Sequence, residues 1–205
     1  AETLTPNLGL PYYTGSDPPA GMDQQKNLAM KLDGISSLRP PLVTALPGSP
    51  VDGQECYFLA DAANGIVWHF RYRASSPATE KWEFLGGPAL FASFWASFTV
   101  PHNSLTTDPN LAIPIPLSGT YLVHRQAVII PQAAASFYNE GIRNGAATGT
   151  QIRGYVPVAA QVTISGQWNE ALVAGDTINS AYFQNSGVAG AFGNRVLHAT
   201  PRRVG

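Results

Sequence analysis

The sequence predicts a mostly β protein: an extended N-terminal arm with one short helix, a small antiparallel β-meander and a C-terminal jelly-roll β-sandwich. Three observations carry that expectation. Short runs of alternating apolar and polar residues recur along the chain, separated by turn residues. Twenty glycines and seventeen prolines in 205 residues exceed the usual combined share of about 12%. Only one stretch holds an apolar stripe at helical spacing. With 44% hydrophobic residues, the chain can still bury a core.

Residues 1–54 are irregular, with Pro6, Pro11, Pro18, Pro19, Pro40, Pro41, Pro47 and Pro50 among them. The helix candidate runs from Pro19 to Ile35. Asp17 serves as N-cap, the prolines suit a first turn and Gly34 suits the stop. Met22, Leu28, Leu32 and Ile35 form its stripe, with Ala29 beside them. A few turns of helix cannot stand alone in water, so the stripe needs something to pack on. The zone therefore reads as an arm with one docking helix, and Leu4, Leu8, Leu10, Tyr12, Tyr13, Leu28 and Leu32 are its candidate anchoring residues.

Residues 55–90 read as a three-stranded meander. Glu55–Ala60 is strand-like, and Asp61-Ala-Ala-Asn64-Gly65 supplies a turn. Ile66–Arg73 then alternates, with Ile66, Trp68, Phe70 and Tyr72 on one face and Val67, His69, Arg71 and Arg73 on the other. Lys81–Leu85 is the third strand, stopped by Gly86-Gly87-Pro88. Three strands lie near the lower limit of independent stability, so the module is expected to rest on a neighbour.

Residues 91–205 hold strand candidates at Phe91–Val100, Leu111–Ile115, Thr120–Ile130, Ala135–Arg143, Thr150–Val156, Ala159–Trp168, Thr177–Gln184 and Arg195–Ala199. Ser118-Gly119, Asn144-Gly145, Ala174-Gly175-Asp176 and Ser186-Gly187 mark the turns. Such spacing is that of a sandwich or jelly roll and leaves no room for an inserted catalytic domain.

Charge narrows the function. Charged residues are 12% of the chain, against about 25% in an average soluble domain. The net charge is −1, which argues against a nucleic-acid binder or a polybasic membrane-surface protein. No apolar run approaches the roughly 20 residues of a membrane span, and the opening residues lack the pattern of a signal peptide. Lys26, Lys31 and Lys81 are the only lysines, and from Phe91 onward the acids are Asp108, Glu140, Glu170 and Asp176 alone. Interface cores are depleted in Lys, Glu and Asp, whereas monomers keep charge for solubility. An assembly component is the favoured reading; a surface of Ser, Thr, Asn and Gln is the alternative.

No catalytic or metal centre is expected, and no cofactor. His69, His102, His124 and His198 show no i, i+2 or i, i+4 pairing, so each reads as a polar position on an alternating face. Glu140 and Glu170 could in principle face each other as a glycosidase pair, but nothing selects them. Asp176 reads as the cap of a turn. Cys56, the lone cysteine, reads as a small apolar residue. There is no Gly-x-Ser-x-Gly elbow, and Val188–Asn194 does not open a helix in the phosphate-binding sense. The aromatics Trp68, Tyr72, Trp82, Trp95, Trp168, Tyr12 and Tyr13 are a mild carbohydrate-binding signal, with core packing in the meander the stronger reading for Trp68 and Trp82.

Leu4-Thr-Pro-Asn-Leu-Gly-Leu-Pro-Tyr12, followed by Asn27-Leu-Ala-Met-Lys-Leu-Asp33, resembles the N-terminal signature of minor tail proteins from actinobacterial phages. Leu46–Gln54, Tyr57–Asp61, Trp68–Tyr72 and Lys81–Pro88 are similar to a module recurring in the same virion proteins. Ser118-Gly-Thr-Tyr-Leu-Val123, Leu172-Val-Ala-Gly-Asp-Thr-Ile178 and Asn139–Gly145 resemble the trimeric jelly roll of complement and tumour-necrosis-factor-like domains and of phage fibre heads. The resemblance implies a non-enzymatic homotrimer in a phage particle, contacting other virion proteins through its arm. It points to a tail-tip or fibre component. Two alternatives stay open: a capsid decoration protein or head fibre, and a carbohydrate-binding adhesin whose loops near His102–Asn110 or Asn185–Asn194 meet host glycan.

Overall fold

Alternation of apolar and polar side chains lets a strand bury one face and wet the other. The computed structural model describes residues 2–4, 11–13, 28, 40–130, 133–156 and 161–205, and strands dominate them. In chain order these are β1 (Glu2–Leu4), β2 (Pro11–Tyr13), β3 (Leu42–Val43), β4 (Glu55–Asp61), β5 (Ile66–Tyr72), β6 (Trp82–Gly86), β7 (Leu90–Phe94) and β8 (Phe98–Val100). There follow β9 (Thr106–Thr107), β10 (Ile113–Pro114), β11 (Gly119–Ile130), β12 (Ala135–Arg143), β13 (Ala146–Val156), β14 (Val162–Leu172), β15 (Thr177–Gln184) and β16 (Gly190–Val204).

Two compact units divide at Pro41 and Leu42. In the first, β1 and β2 pair antiparallel, Glu2 opposite Tyr13 and Leu4 opposite Pro11. The helix expected over Pro19–Ile35 lies outside the described residues except for Leu28, which is helical and exposed.

The second unit is a mostly β sandwich. One sheet runs β14-β11-β16-β6-β5-β4-β3, with β7 and β8 also pairing β16; the other runs β10-β15-β12-β13, with β9 pairing β15. From β8 onward the chain crosses repeatedly between them: β9 and β10 lie in the second sheet, β11 in the first, β12 and β13 in the second, β14 in the first, β15 in the second and β16 in the first. That alternation is a jelly roll. The zones 55–90 and 91–205 share a sheet, because Glu83 and Trp82 of β6 pair Arg203 and Val204 of β16.

The core is continuous across that junction. Cys56, Phe58, Trp68, Phe70 and Trp82 from the meander belong to the same buried cluster as Tyr121, Val123, Ile129, Phe192 and Leu197 from the sandwich. Trp68 packs 6.2 Å from the Tyr121 ring, and its indole N–H donates to the Pro88 carbonyl at 2.8 Å. Tyr121 donates its hydroxyl proton to the Leu117 carbonyl at 2.7 Å, which satisfies a phenol that burial makes harder to ionise.

β16 is much longer than the expected Arg195–Ala199. Gly190, Gly193 and Pro201 look like breaks in the sequence, yet each lies within the strand. β8, β7 and β6 succeed one another along one edge of β16, while β11 lines the other. Asn194, at φ 44°, falls where the β11–β16 register shifts between Gln126 and Val128, a bulge that takes up one residue. Phe91–Val100, expected as one strand, is divided into β7 and β8 around Trp95–Ser97. Gly119 is required by close approach: a Cβ there would lie 2.1 Å from the Arg203 carbonyl oxygen. Asn144 and Gly145 both take positive φ in the β12–β13 hairpin, as their pairing predicts.

Candidate functional site

β11 alternates between buried and half-buried over its whole length. Tyr121, Val123, Arg125, Ala127 and Ile129 point into the sandwich, so Leu122, His124, Gln126, Val128 and Ile130 point away from it. Pairing extends this outer face into rows. Gln167 of β14, His124 of β11, His198 of β16 and Phe91 of β7 lie side by side. The next rows are Ser165–Gln126–Val196–Ser93 and Asn169–Leu122–Thr200. None of these side chains is an acid, a lysine or an arginine. Phe91 is 57% exposed, and Trp95, just past the end of β7, is 75% exposed.

Two arginines and three acids of the sandwich lie inside instead, while Arg143, Arg153 and Arg202 stay exposed. Arg125 is fully buried and donates to Glu170 at 2.9 Å and to the Thr150 hydroxyl at 3.1 Å, with its guanidinium 5.4 Å over the Trp168 ring. Arg195 is ion-paired with buried Asp108, donates to the Phe192 carbonyl at 2.7 Å and lies over the Phe94 and Phe98 rings. Glu140 is buried and accepts from the Gly149 N–H at 2.8 Å and from Gln151. Three of the four acids beyond Phe91 are therefore committed to the interior. The fourth, Asp176, caps its turn by accepting from the Val173 N–H at 2.8 Å and from Asn144, and these bonds hold its carboxyl below the usual range.

The meander is the opposite. On the same side of the same sheet, Thr120 is followed by the row Arg203–Glu83–Arg71–Glu55. Arg71 donates to Glu83 at 3.0 Å, and Arg73 and Arg203 lie 3.5 and 3.7 Å from the same carboxylate. These bonds, the one from Arg71 first, hold the Glu83 carboxyl low. Glu55 lies 2.8 Å from the His69 imidazole.

At one end of the sandwich the two loops expected to be distal come together. His102 Nδ1 accepts from the Gly187 N–H at 2.9 Å, and the Asn103 N–H donates to the Gln184 carbonyl. Beside them is an open cleft of about 520 Å³ lined by Thr99 and Val188–Ala191. On the outer face of the second sheet, Arg153, Tyr138 and Phe183 form a cross-strand row. Tyr138 stacks on Phe183 at 4.6 Å while Arg153 lies 5.7 Å over its ring, and Tyr155 stands exposed next to them.

Of the expected anchoring residues, Leu4, Tyr12 and Tyr13 fall in β1 and β2, Leu28 is helical and 59% exposed, and Leu8, Leu10 and Leu32 lie outside the described residues. Trp68 and Trp82 are core residues and Trp95 is not. Cys56 is fully buried, and burial pushes its thiol up to about 11, so it is not a nucleophile at neutral pH. Sequence reading missed two features. Arg125, set among Val123, Ala127 and Ile129 on the apolar face of a strictly alternating strand, carried a signal for a buried pair. The juxtaposition of His124 and His198, ring centroids 5.7 Å apart, carried none, because it depends on which strands pair.

No family model matches the chain, and no curated protein is significantly similar to it in sequence. Among solved structures, it is similar to the globular domain of zebrafish complement 1qA protein at 10% identity, covering 58% of this chain and 99% of that one, with a TM-score of 0.43. It is also similar to the Eiger TNF of S. frugiperda (13% identity, 58% and 96% coverage, TM-score 0.41). A third likeness is to infectious bursal disease virus, Gx strain (6% identity, 67% and 43% coverage, TM-score 0.41).

Proposed function

We propose that this chain is a non-enzymatic structural protein of a phage virion, a homotrimeric tail-tip or fibre component. Residues 1–41 hold it to the particle and the sandwich projects from it. The observation that carries this reading is the uncharged outer face of β14, β11, β16 and β7. That face sets Leu122, Val196 and Phe91 among Ser, Thr, Asn and Gln side chains and two histidines, with no acid, lysine or arginine, so copies of the chain can cover one another there without burying a permanent charge. The separateness of residues 1–41 as a compact unit and their motif resemblance to phage tail proteins support the anchoring role. Two buried arginines held by carboxylates inside the sandwich fit a rigid, projecting module better than a reactive site, since each charge is occupied by its partner.

The test is the native mass of the full chain, expected at three times the 21.8 kDa chain mass. A monomer at micromolar concentration sinks the trimer. Removing residues 1–41 should leave the mass of the remainder trimeric while abolishing incorporation into particles. Electron microscopy of intact particles then separates few copies at the tail from many copies over the capsid, which is the decoration-protein alternative. A glycan-reading role is favoured by one observation, the joining of the His102 and Gly187 loops beside an open cleft. Binding of host wall polymer that is lost on altering Val188–Ala191 would support it.

A further inference from the structure

We propose that His124 and His198 form a two-imidazole site for a divalent first-row transition cation, on the outer face of β11 and β16. The two residues are directly opposed across the antiparallel pair, where Cβ atoms stand about 4.5–5.5 Å apart. Their ring centroids are 5.7 Å apart with the planes tilted by 43°. A cation held about 2.0–2.1 Å from one nitrogen of each ring, at a tetrahedral angle, calls for a centroid separation of about 5.2 Å. A small rotation of either side chain closes the difference. Among the described residues neither imidazole makes a hydrogen bond to another group, so no existing contact must break for a nitrogen to turn toward a metal.

The surroundings select the class of ion. Gln167 flanks His124, and Phe91 flanks His198 with its ring edge-on at 6.5 Å. Leu122 and Thr200 lie on one side of the pair and Gln126 and Val196 on the other. The nearest charged side chains beyond the pair are Arg202 and Arg203, past Leu122 and Thr200 at the register shift opposite Thr120 and Tyr121. With no carboxylate in reach, Ca²⁺ and Mg²⁺ have nothing to hold them. Imidazole alone suits Cu²⁺, Ni²⁺ and Zn²⁺. Among the described residues no group of three or more ligating side chains exists, so the remaining coordination positions go to water or to an adjoining copy of this face.

The experiment is calorimetric titration of the chelator-treated full chain with Ni²⁺, Zn²⁺ and Mg²⁺ at about pH 7.5. One Ni²⁺ or Zn²⁺ per His124–His198 pair is expected, and no Mg²⁺. His124→Gln and His198→Gln should each weaken Ni²⁺ binding at least tenfold, while His69→Gln leaves it unchanged. Equal binding by wild type and both variants overturns the site, as does loss in His69→Gln alone. If either variant fails to fold, the wild-type chain decides. Diethyl pyrocarbonate should modify both histidines, and Ni²⁺ should protect both. Modification unaffected by metal overturns the proposal. Native mass measured in excess chelator keeps this separate from the assembly reading: a trimer that binds no metal refutes only the site, and a metal-binding monomer refutes only the trimer.

Discussion

One face of one sheet has two characters. Over β4, β5 and β6 it carries Glu55, His69, Arg71, Glu83 and, from the adjoining end of β16, Arg203, all half-exposed and cross-linked by ion pairs. Over β7, β14, β11 and the middle of β16 it carries no charge, although buried Arg125, Arg195, Asp108 and Glu170 lie directly beneath on the inner side. Backbone pairing is uninterrupted between the two regions, so the fold does not impose the difference. The chain places ion-paired charge over the meander and leaves acids, lysines and arginines out of the rows over β7, β14, β11 and the middle of β16. It keeps interior arginines for packing and pairing.

That contrast can be broken most forcefully by putting charge where it is absent. Val196→Glu, in the middle of the uncharged span, places three carboxylates in the contacts of a trimer at several kcal/mol of desolvation each. The expected result is a folded monomer, seen as a drop in native mass with an unchanged circular dichroism spectrum. A persistent trimer would show that copies meet elsewhere. Next in size is the interior. Arg195→Met leaves Asp108 buried and unpaired and should destabilise by about 3–5 kcal/mol in urea unfolding. Arg195→Met with Asp108→Leu should recover most of that loss.

Trp68→Ala asks whether the two regions are one structure. Because the meander and sandwich share a core, it should cost about 3–5 kcal/mol and shift a single unfolding transition. Two transitions, with only the first displaced, would make the meander an independent satellite. At the charged end, Glu83→Gln should cost less than about 1 kcal/mol and leave native mass unaltered.

The smallest effects separate the two regions by pH. The His198 pKa is depressed by burial and secondly by the neighbouring His124, so its contribution to stability is complete above the ordinary imidazole value of about 6.5 and is lost as pH falls below it. The Glu83 pKa is also depressed, so its contribution is complete above about 4.3 and is lost as pH falls through its lowered folded value. Melting temperature followed downward from neutral pH should therefore show a first decline that His198→Gln removes and a second, more acidic one that Glu83→Gln reduces.

The meander was legible in the sequence because its signals are local. Ile66, Trp68 and Phe70 are buried as their alternation requires, and Asp61 accepts from the Ala63 and Asn64 N–H groups in the turn read from Asn64-Gly65. β11 and β15 were legible for the same reason. β16 was not, because Gly190, Gly193 and Pro201 are local breakers that three successive edge partners and a bulge override. The outer face was legible only as a deficit of charge. Its rows, and the meeting of His124 with His198, follow from which strands become neighbours, and alternation within a strand carries no information about that choice.

The position of β16 has a kinetic consequence. It follows every one of its partners in the chain, and β11, β6, β7 and β8 all remain unpaired on that side until it has been synthesised. Loop closure over such separations is slow, so neither the meander nor the sandwich can complete its sheet during synthesis of the strands before it. For that interval the aromatic face of the meander and the edge of β11 stand open to other chains. Many copies made close together would pass through this stage at once, and the yield of folded protein should fall with expression rate well before the finished protein reaches its solubility limit.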